Sequence, residues 1–135
     1  MEYIDLGLPS GTKWAASNVG GNSHYEKNAE EWIGTHFYET DKEKVMKMSL
    51  PTVAQWKELV ANTTHEITNL AGGKTKAQMV LRSKVNDNFV VFPYTGPSVY
   101  IDAQGNGLHL YDLNDEELKI GAWNLSAFHV REVSK

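Results

Sequence analysis

The stretch from residue 49 to residue 60 constrains the fold more strongly than any other part of the chain. Pro51 disfavours helical geometry in the residue before it, so an extended segment must end there. Thr52 then stands at the N-cap position, and Gln55 follows three residues later, which is the spacing of a capping box. The sequence therefore predicts a helix that begins immediately after Thr52.

The apolar residues of this helix fall on one face. They recur at helical spacing and are Val53, Trp56, Leu59 and Val60, whereas Lys57 lies off the stripe. A stripe that contains a tryptophan needs a broad apolar surface to pack against. Because much of the remaining chain is strand-like, we expect that surface to be a β-sheet.

Most of the other apolar runs have the length and residue types of strands. The predicted strands are residues 3–6, 12–16, 35–38, 65–68, which are only weakly strand-like, 78–83, 89–92, 99–101, 108–111, 119–125 and 128–133. Turn-forming residues separate several of them at hairpin distance, including Pro9 and Gly11 in the first turn and residues 86–88 in a later one. Residues 89–92 are apolar at every position, so we expect a central strand that is covered on both faces.

Two further segments complete the predicted architecture. A second helix is expected from about His24 to Ile33, behind a possible capping box. The charged segment from Glu39 to Met48 is expected to be a surface excursion. A chain of 135 residues is long enough to bury a core. We therefore predict one α+β domain that spans residues 1–135.

The charge and hydropathy of the chain exclude several classes of partner. The net charge is −4, and Lys42, Lys44 and Lys47 are interleaved with Asp41 and Glu43. We therefore expect no nucleic-acid surface. No apolar run approaches the roughly 20 residues of a membrane span, so we expect no direct membrane insertion. The first residues lack the features of a signal peptide. The protein is then either cytoplasmic or virion-associated, or it is excised from a longer exported chain and extracellular or at a cell surface.

The residue types that catalyse reactions or bind metals are scarce or badly spaced. The chain has no cysteine, which excludes disulfides, thiolate metal sites and cysteine nucleophiles. The five histidines lack the spacing of a His-Glu-x-x-His zinc site. No Gly-x-Ser-x-Gly stretch marks a hydrolase nucleophile. We predict no metal, no cofactor and no enzymatic activity.

Four stretches together resemble a known family. They are residues 3–15, which contain DLGLPSGTKWA, residues 18–20, residues 50–59, which contain the LPT-x-x-QW-x-EL helix, and residues 128–131. In this order they are similar to the Fibrobacter succinogenes major paralogous domain, which is common in surface proteins and lipoproteins of gut Bacteroidetes. The resemblance is good over the N-terminal two-thirds and weakens after Tyr100.

This resemblance implies a C-type-lectin-like fold related to that of formylglycine-generating enzymes. Such a fold has two helices packed on a twisted, mostly antiparallel sheet in which the N- and C-terminal strands pair. The oxidase chemistry of those enzymes uses cysteines, which this chain lacks. Calcium-dependent lectins carry a Trp-Asn-Asp motif, but here Trp123-Asn124 is followed by Leu125, so we expect no calcium-dependent sugar binding and interpret Trp123 as a core residue.

The late loops of the chain contain the candidate binding residues. Tyrosine offers broad contact at low entropic cost, and asparagine and aspartate supply hydrogen bonds. The candidates are Tyr94, Tyr100, Asp102, Asn106, His109 and Tyr111. We predict a non-catalytic binding module that presents these loops to a glycan or a protein at a cell or virion surface. The alternative is a structural or assembly component, such as a phage or surface-appendage subunit, without a small-molecule ligand. The oligomeric state stays open.

Overall fold

The computed structural model describes residues 2–21, 33–69, 77–94, 98–112 and 117–134. The strands are β1 (Tyr3–Asp5), β2 (Lys13–Ala15), β3 (Phe37–Tyr38), β4 (Thr63–Asn69), β5 (Ala77–Ser83), β6 (Phe89–Pro93), β7 (Val99–Ile101), β8 (Gly107–Asp112), β9 (Leu118–Trp123), β10 (Ala127–Phe128) and β11 (Val133–Ser134). The α-helices are α1 (Lys42–Val45) and α2 (Val53–Ala61), and a 3₁₀ turn spans Glu39–Asp41. The helix predicted from His24 falls outside the described residues except for Ile33.

The central helix α2 confirms the prediction made from the capping box. The Gln55 amide donates to the Thr52 hydroxyl at 3.1 Å, and the Thr52 amide donates to the Gln55 side chain at 2.8 Å. Trp56 and Leu59 are fully buried. The ring of Trp56 lies 4.7 Å from that of Trp14 and 5.8 Å from that of Phe92, measured between centroids. The helix therefore packs on rings supplied by strands, as its stripe predicts.

The chain is an α+β structure with two short helices and several antiparallel sheets, among which strands predominate. The described strands form four sheets with the orders β1-β2-β11, β10-β3, β4-β5-β6 and β7-β8-β9. The predicted hairpins β1–β2, β5–β6 and β7–β8 are all present. The first and last strands share a sheet, but each pairs with β2 rather than with the other.

The C-terminal segment is divided between sheets, although its sequence predicts one strand over residues 128–133. Phe128 pairs with Phe37, His129 forms a bridge with Tyr100, and Val133 pairs with Trp14. Each part of the segment therefore has a different partner. Because these partners lie in separate sheets, a single regular strand cannot serve all three.

Strand β6 is covered on both faces, as predicted, because Val90 and Phe92 are buried as well as Val91. The prediction that it is central is wrong for the described strands, since β6 pairs only with β5 and is an edge strand. The guanidinium of Arg131 donates to the Val91 carbonyl at 2.7 Å. A side chain therefore occupies a hydrogen-bonding position that a neighbouring strand would otherwise fill.

The charged segment from Glu39 to Met48 is more ordered than a surface excursion. It forms the 3₁₀ turn and α1, and Val45 of α1 is fully buried. Val45 belongs to a second core cluster with Phe37, Leu50, Val99, Ile101, Phe128 and Val130. Two apolar residues, Val45 and the partly buried Met48, attach the segment to this cluster, a signal too short to register as helical periodicity.

Candidate ligand-binding site

The sheet β7-β8-β9 has one buried face and one partly uncovered face. Side chains alternate along a strand, so Leu108 and Leu110 of β8 point toward the main core together with Leu118 of β9. On the opposite face the second core cluster covers Val99 and Ile101 of β7. The corresponding face of β8 and β9 is only partly buried.

Three aromatic rings lie on this outer face. His109 stacks on Tyr111 with ring centroids 4.9 Å apart and planes inclined by 21°. Trp123 meets His109 edge to face at 4.7 Å and is 44% exposed. We call His109, Tyr111 and Trp123 the aromatic platform. Its rings hold one another in place, and its tryptophan is available to a partner.

A glycine allows the platform to form. Gly121 is the strand partner of His109 in β9. A Cβ atom added to Gly121 would lie 2.8 Å from Nε2 of His109 and 2.9 Å from Cε1 of Tyr111, which is closer than side-chain carbons pack. The absence of a side chain at this position therefore lets the two rings lie flat against the backbone of β9.

The environment of the platform favours a neutral imidazole. Burial lowers the pKa of His109 below its usual value of 6.5. At neutral pH the ring is therefore uncharged, and its stacking on Tyr111 is that of two neutral aromatic rings. The platform as a whole has an apolar surface with a polar ring edge.

Two of the six predicted site residues lie in the core and leave the candidate set. Tyr100 is 1% exposed and its hydroxyl donates to Asn18 Oδ1 at 3.1 Å. Asp102 is 2% exposed, and its Oδ1 accepts the amides of Gln104 and Asn106 at 2.8 and 3.0 Å. Tyr100 packs the core and Asp102 shapes the β7–β8 turn, so neither side chain faces a partner.

The other four candidates lie on or near the sheet β7-β8-β9. His109 and Tyr111 belong to the platform, as already described. Asn106 is exposed and precedes Gly107, the strand partner of Trp123, so it lies at that end of the platform. The Tyr94 hydroxyl accepts the amide of Asp112 at 3.2 Å, so Tyr94 supports the opposite end of β8.

A groove adjoins the platform at Tyr111 and Lys119. It has a volume of about 980 Å³ and runs between the end of α2, strand β4 and strands β8 and β9. His65 and Asp112 meet in its lining, with Nε2 of His65 2.7 Å from Oδ2 of Asp112. The Asp112 side chain is 3% exposed and that of His65 is 17% exposed.

The second oxygen of Asp112 has no partner. Oδ1 is buried and accepts no hydrogen bond from any described residue. Buried polar atoms are almost always hydrogen-bonded, so a buried carboxylate oxygen without a partner among the described residues is unusual. The groove also contains Lys57, Lys84 and Lys119.

Sequence reasoning missed Trp123, Gly121, His65 and Asp112. The interpretation of Trp123 as a core residue is wrong, because its ring is on the outer face of an edge strand. Alternation along β9 could have grouped Lys119, Gly121 and Trp123 on one face. No local signal relates His65 to Asp112, which are 47 positions apart.

The described residues contain no group of three or more histidine, cysteine or acidic side chains that could hold a metal ion. None of the described helices has the length and hydropathy needed to cross a bilayer. The chain matches no protein-family model, no curated protein and no solved structure. The resemblance drawn from its motifs therefore remains a prediction.

Proposed function

We propose that this protein is a non-catalytic binding module that presents the aromatic platform to a glycan or a protein at a cell or virion surface. The scaffold is proposed to be C-type-lectin-like, as the motifs in the N-terminal two-thirds imply. The main support is the exposure of Trp123, whose ring is 44% accessible while it is held against His109.

The exposed ring of Trp123 is suited to contact with a partner. Indole offers a large contact area, and two torsion angles suffice to place it. Here the contact with His109, itself stacked on Tyr111, restricts those torsions before any partner arrives. Binding would therefore lose little side-chain entropy, which favours affinity.

The position of the platform also suits recognition. It lies on β8 and β9, whose opposite face is anchored in the main core through Leu110 and Leu118. Rigid elements hold binding groups more accurately than free loops. The platform is thus supported from behind by the main core cluster.

The test compares Trp123→Ala with Phe89→Ala. Both rings are 44% exposed, but Phe89 lies on β6, outside the platform, next to Arg82. The full chain would be applied to a printed glycan array and, immobilised, to surface extracts of candidate host cells. We expect Trp123→Ala to abolish the signals that wild type gives and Phe89→Ala to preserve them.

Two results would contradict this function. Equal binding by both variants would show that the platform is not the contact surface. Concentration-dependent self-association that Trp123→Ala abolishes, without any external partner, would instead support a structural or assembly component. Analytical ultracentrifugation of the two variants separates these outcomes.

A further inference from the structure

We propose that the aromatic platform binds an acidic saccharide, whose sugar rings lie on the platform and whose carboxylate or sulfate group pairs with the ammonium group of Lys119. This inference rests on the proposed binding function and names the ligand class for the same surface. It depends on the register of β8 and β9, on the charge of their outer face and on the access to the rings.

The first argument is the position of Lys119. In the ladder between β8 and β9, Lys119 is directly opposite Tyr111, as Gly121 is opposite His109. The Cβ atoms of directly opposed residues lie about 4.5–5.5 Å apart, so Lys119 stands beside one end of the platform. Trp123 follows four residues later on the same face, a distance of about 13 Å along an extended strand. The outer face therefore has a cation at one end of a row of rings and an exposed tryptophan at the other.

The second argument is the charge of this face. Burial lowers the pKa of His109, so the imidazole is neutral at neutral pH and Lys119 is the one charged side chain that the paired residues of β8 and β9 place there. Lys119 is exposed. It forms no ion pair with Glu117, two positions before it, or with any other acidic side chain in the described ranges. Its ammonium group can therefore donate charge-assisted hydrogen bonds to an anionic group of a ligand.

The third argument is that the rings of the platform are open to a ligand. Phe89 is as exposed as Trp123, at 44%, but the guanidinium of Arg82 lies 4.8 Å from the centroid of the Phe89 ring. Among the described residues, no cation lies over the ring of Trp123 or Tyr111 in this way. A sugar ring presents C–H bonds on its faces and hydroxyls at its edge, so its faces can pack on such uncovered rings while its hydroxyls stay in water.

Size and charge together favour an acidic saccharide over other partners. A stable protein–protein interface buries about 800 Å² on each partner, which is more than three rings and a lysine supply. The second core cluster already covers the neighbouring face of β7, so the platform cannot extend in that direction. A neutral saccharide would leave Lys119 without a counter-charge. A short acidic oligosaccharide matches both the row of rings and the cation at its end.

The experiment measures the binding of matched saccharides that differ in their charged groups. The pairs are oligogalacturonate with its methyl ester, and sialyllactose or sulfated lactose with lactose. Calorimetry and NMR titrations give affinities for the whole chain as wild type, Lys119→Gln and Trp123→Ala. Lys84→Gln is the control, because Lys84 is also exposed and lines the same groove as Lys119 but lies between β5 and β6, in another sheet.

We expect at least one acidic saccharide to bind wild type more tightly than its neutral counterpart. Lys119→Gln should weaken binding of the acidic member about threefold to tenfold and change that of the neutral member by less than about twofold. Trp123→Ala should abolish binding of both, and Lys84→Gln should preserve it. Added salt should weaken acidic binding by wild type more than by Lys119→Gln, because salt screens exposed charge pairs. Thermal unfolding curves check that each variant is folded.

Three outcomes would overturn the inference. Equal affinities of Lys119→Gln and wild type for the acidic saccharides would exclude the lysine from the site. If Lys84→Gln weakens binding as much as Lys119→Gln while Trp123→Ala does not, the groove binds the anion and the platform does not. If no acidic saccharide binds, the ligand class is wrong. In each case capture of a neutral glycan or a protein that requires Trp123 would leave the proposed function standing, whereas binding that never requires Trp123 would contradict that function.

Discussion

The surroundings of Arg131 and of Asp112 show two different uses of a buried charge. Arg131 is 1% exposed, and each of its three guanidinium nitrogens donates to a different acceptor, on Asn18, Ala15 and Val91. Its guanidinium also lies 4.0 Å from the centroid of the Phe92 ring. The Asp112 side chain is almost as buried, but among the described residues only one of its oxygens has a partner, which is His65.

The difference separates a structural network from a candidate site. A buried polar group that donates to fixed acceptors on several segments joins those segments rigidly. Arg131 joins β2, β6 and the C-terminal segment in this way. A carboxylate with one oxygen unpaired among the described residues adds less to stability, because a buried acceptor without a donor carries a desolvation cost. Stability measurements should therefore show a larger loss when Arg131 is replaced than when Asp112 is replaced.

The largest expected effect is that of Arg131→Leu. The change leaves the carbonyls of Ala15 and Val91 and the side chain of Asn18 without these donors in the core. We expect a loss of about 3–5 kcal/mol in the free energy of unfolding, measured by urea denaturation. Arg82→Leu is the control, because Arg82 is exposed and stacks on Phe89. It should cost less than about 1 kcal/mol. Similar losses for the two variants would refute the structural role of Arg131.

Acid should weaken the Arg131 region through its neighbour His129. Burial, and next the nearby His36, lower the pKa of His129 from 6.5 to about 4. The folded state therefore binds fewer protons than the unfolded one between these values. The contribution of neutral His129 to the free energy of unfolding is fully present above pH 6.5. It is lost as the pH falls toward 4, and the loss is up to about 3 kcal/mol. Arg131 also faces His129 and lowers its pKa slightly.

The measurement for His129 is the difference in unfolding free energy between wild type and His129→Gln at several pH values. This difference removes the contribution of carboxylates that titrate in the same range. We expect it to change between pH 6.5 and 4 and to be constant above pH 7. A constant difference across the whole range would show that His129 is not the titrating group.

Asp112→Leu should have a much smaller effect on stability than Arg131→Leu. One hydrogen bond to half-buried His65 is lost, while an unpaired buried oxygen is removed. These changes oppose each other, so we expect a net change within about 1 kcal/mol by urea denaturation. A loss as large as that of Arg131→Leu would mean that Asp112 is chiefly structural, and the distinction between the two regions would fail.

The smallest effect on stability is expected for Gly121→Ala. The new methyl group would force the ring ends of His109 and Tyr111 away from β9, and both can rotate. We expect a change below about 1 kcal/mol in unfolding free energy but a clear loss of partner binding, because the rings no longer lie flat. Ala122→Ser, at the exposed neighbouring position, is the control and should leave binding intact. Unchanged binding in Gly121→Ala would show that ring geometry is unimportant.

Several parts of the fold could be predicted because their signals are local. The Thr52–Gln55 capping box involves residues three positions apart, and the turn of the first hairpin is closed by an amide–carbonyl bond between Gly11 and Leu8. The burial of Trp56 follows from helical periodicity. By contrast, the hydrogen bond from Arg131 to the carbonyl of Val91 in the edge strand β6 joins residues that are 40 positions apart.

The candidate site was predictable only in part. His109 and Tyr111 were found because of their residue types and their position beside the late loops of the chain. Tyr100 and Tyr111 are both tyrosines, but Tyr100 faces the core. The second cluster covers the other side of β7. Trp123 and Trp56 are equally apolar in sequence, yet one is exposed and the other fully buried.

By itself, the sequence determined the start of α2, the burial of Trp56 and the hairpins β1–β2, β5–β6 and β7–β8, because those features depend on residues within a few positions of one another. The tertiary structure alone decided which faces remain uncovered, how Arg131 joins separate sheets, and that His65 meets Asp112. Contacts between distant residues depend on how all the elements pack together, and no short stretch of sequence contains that information.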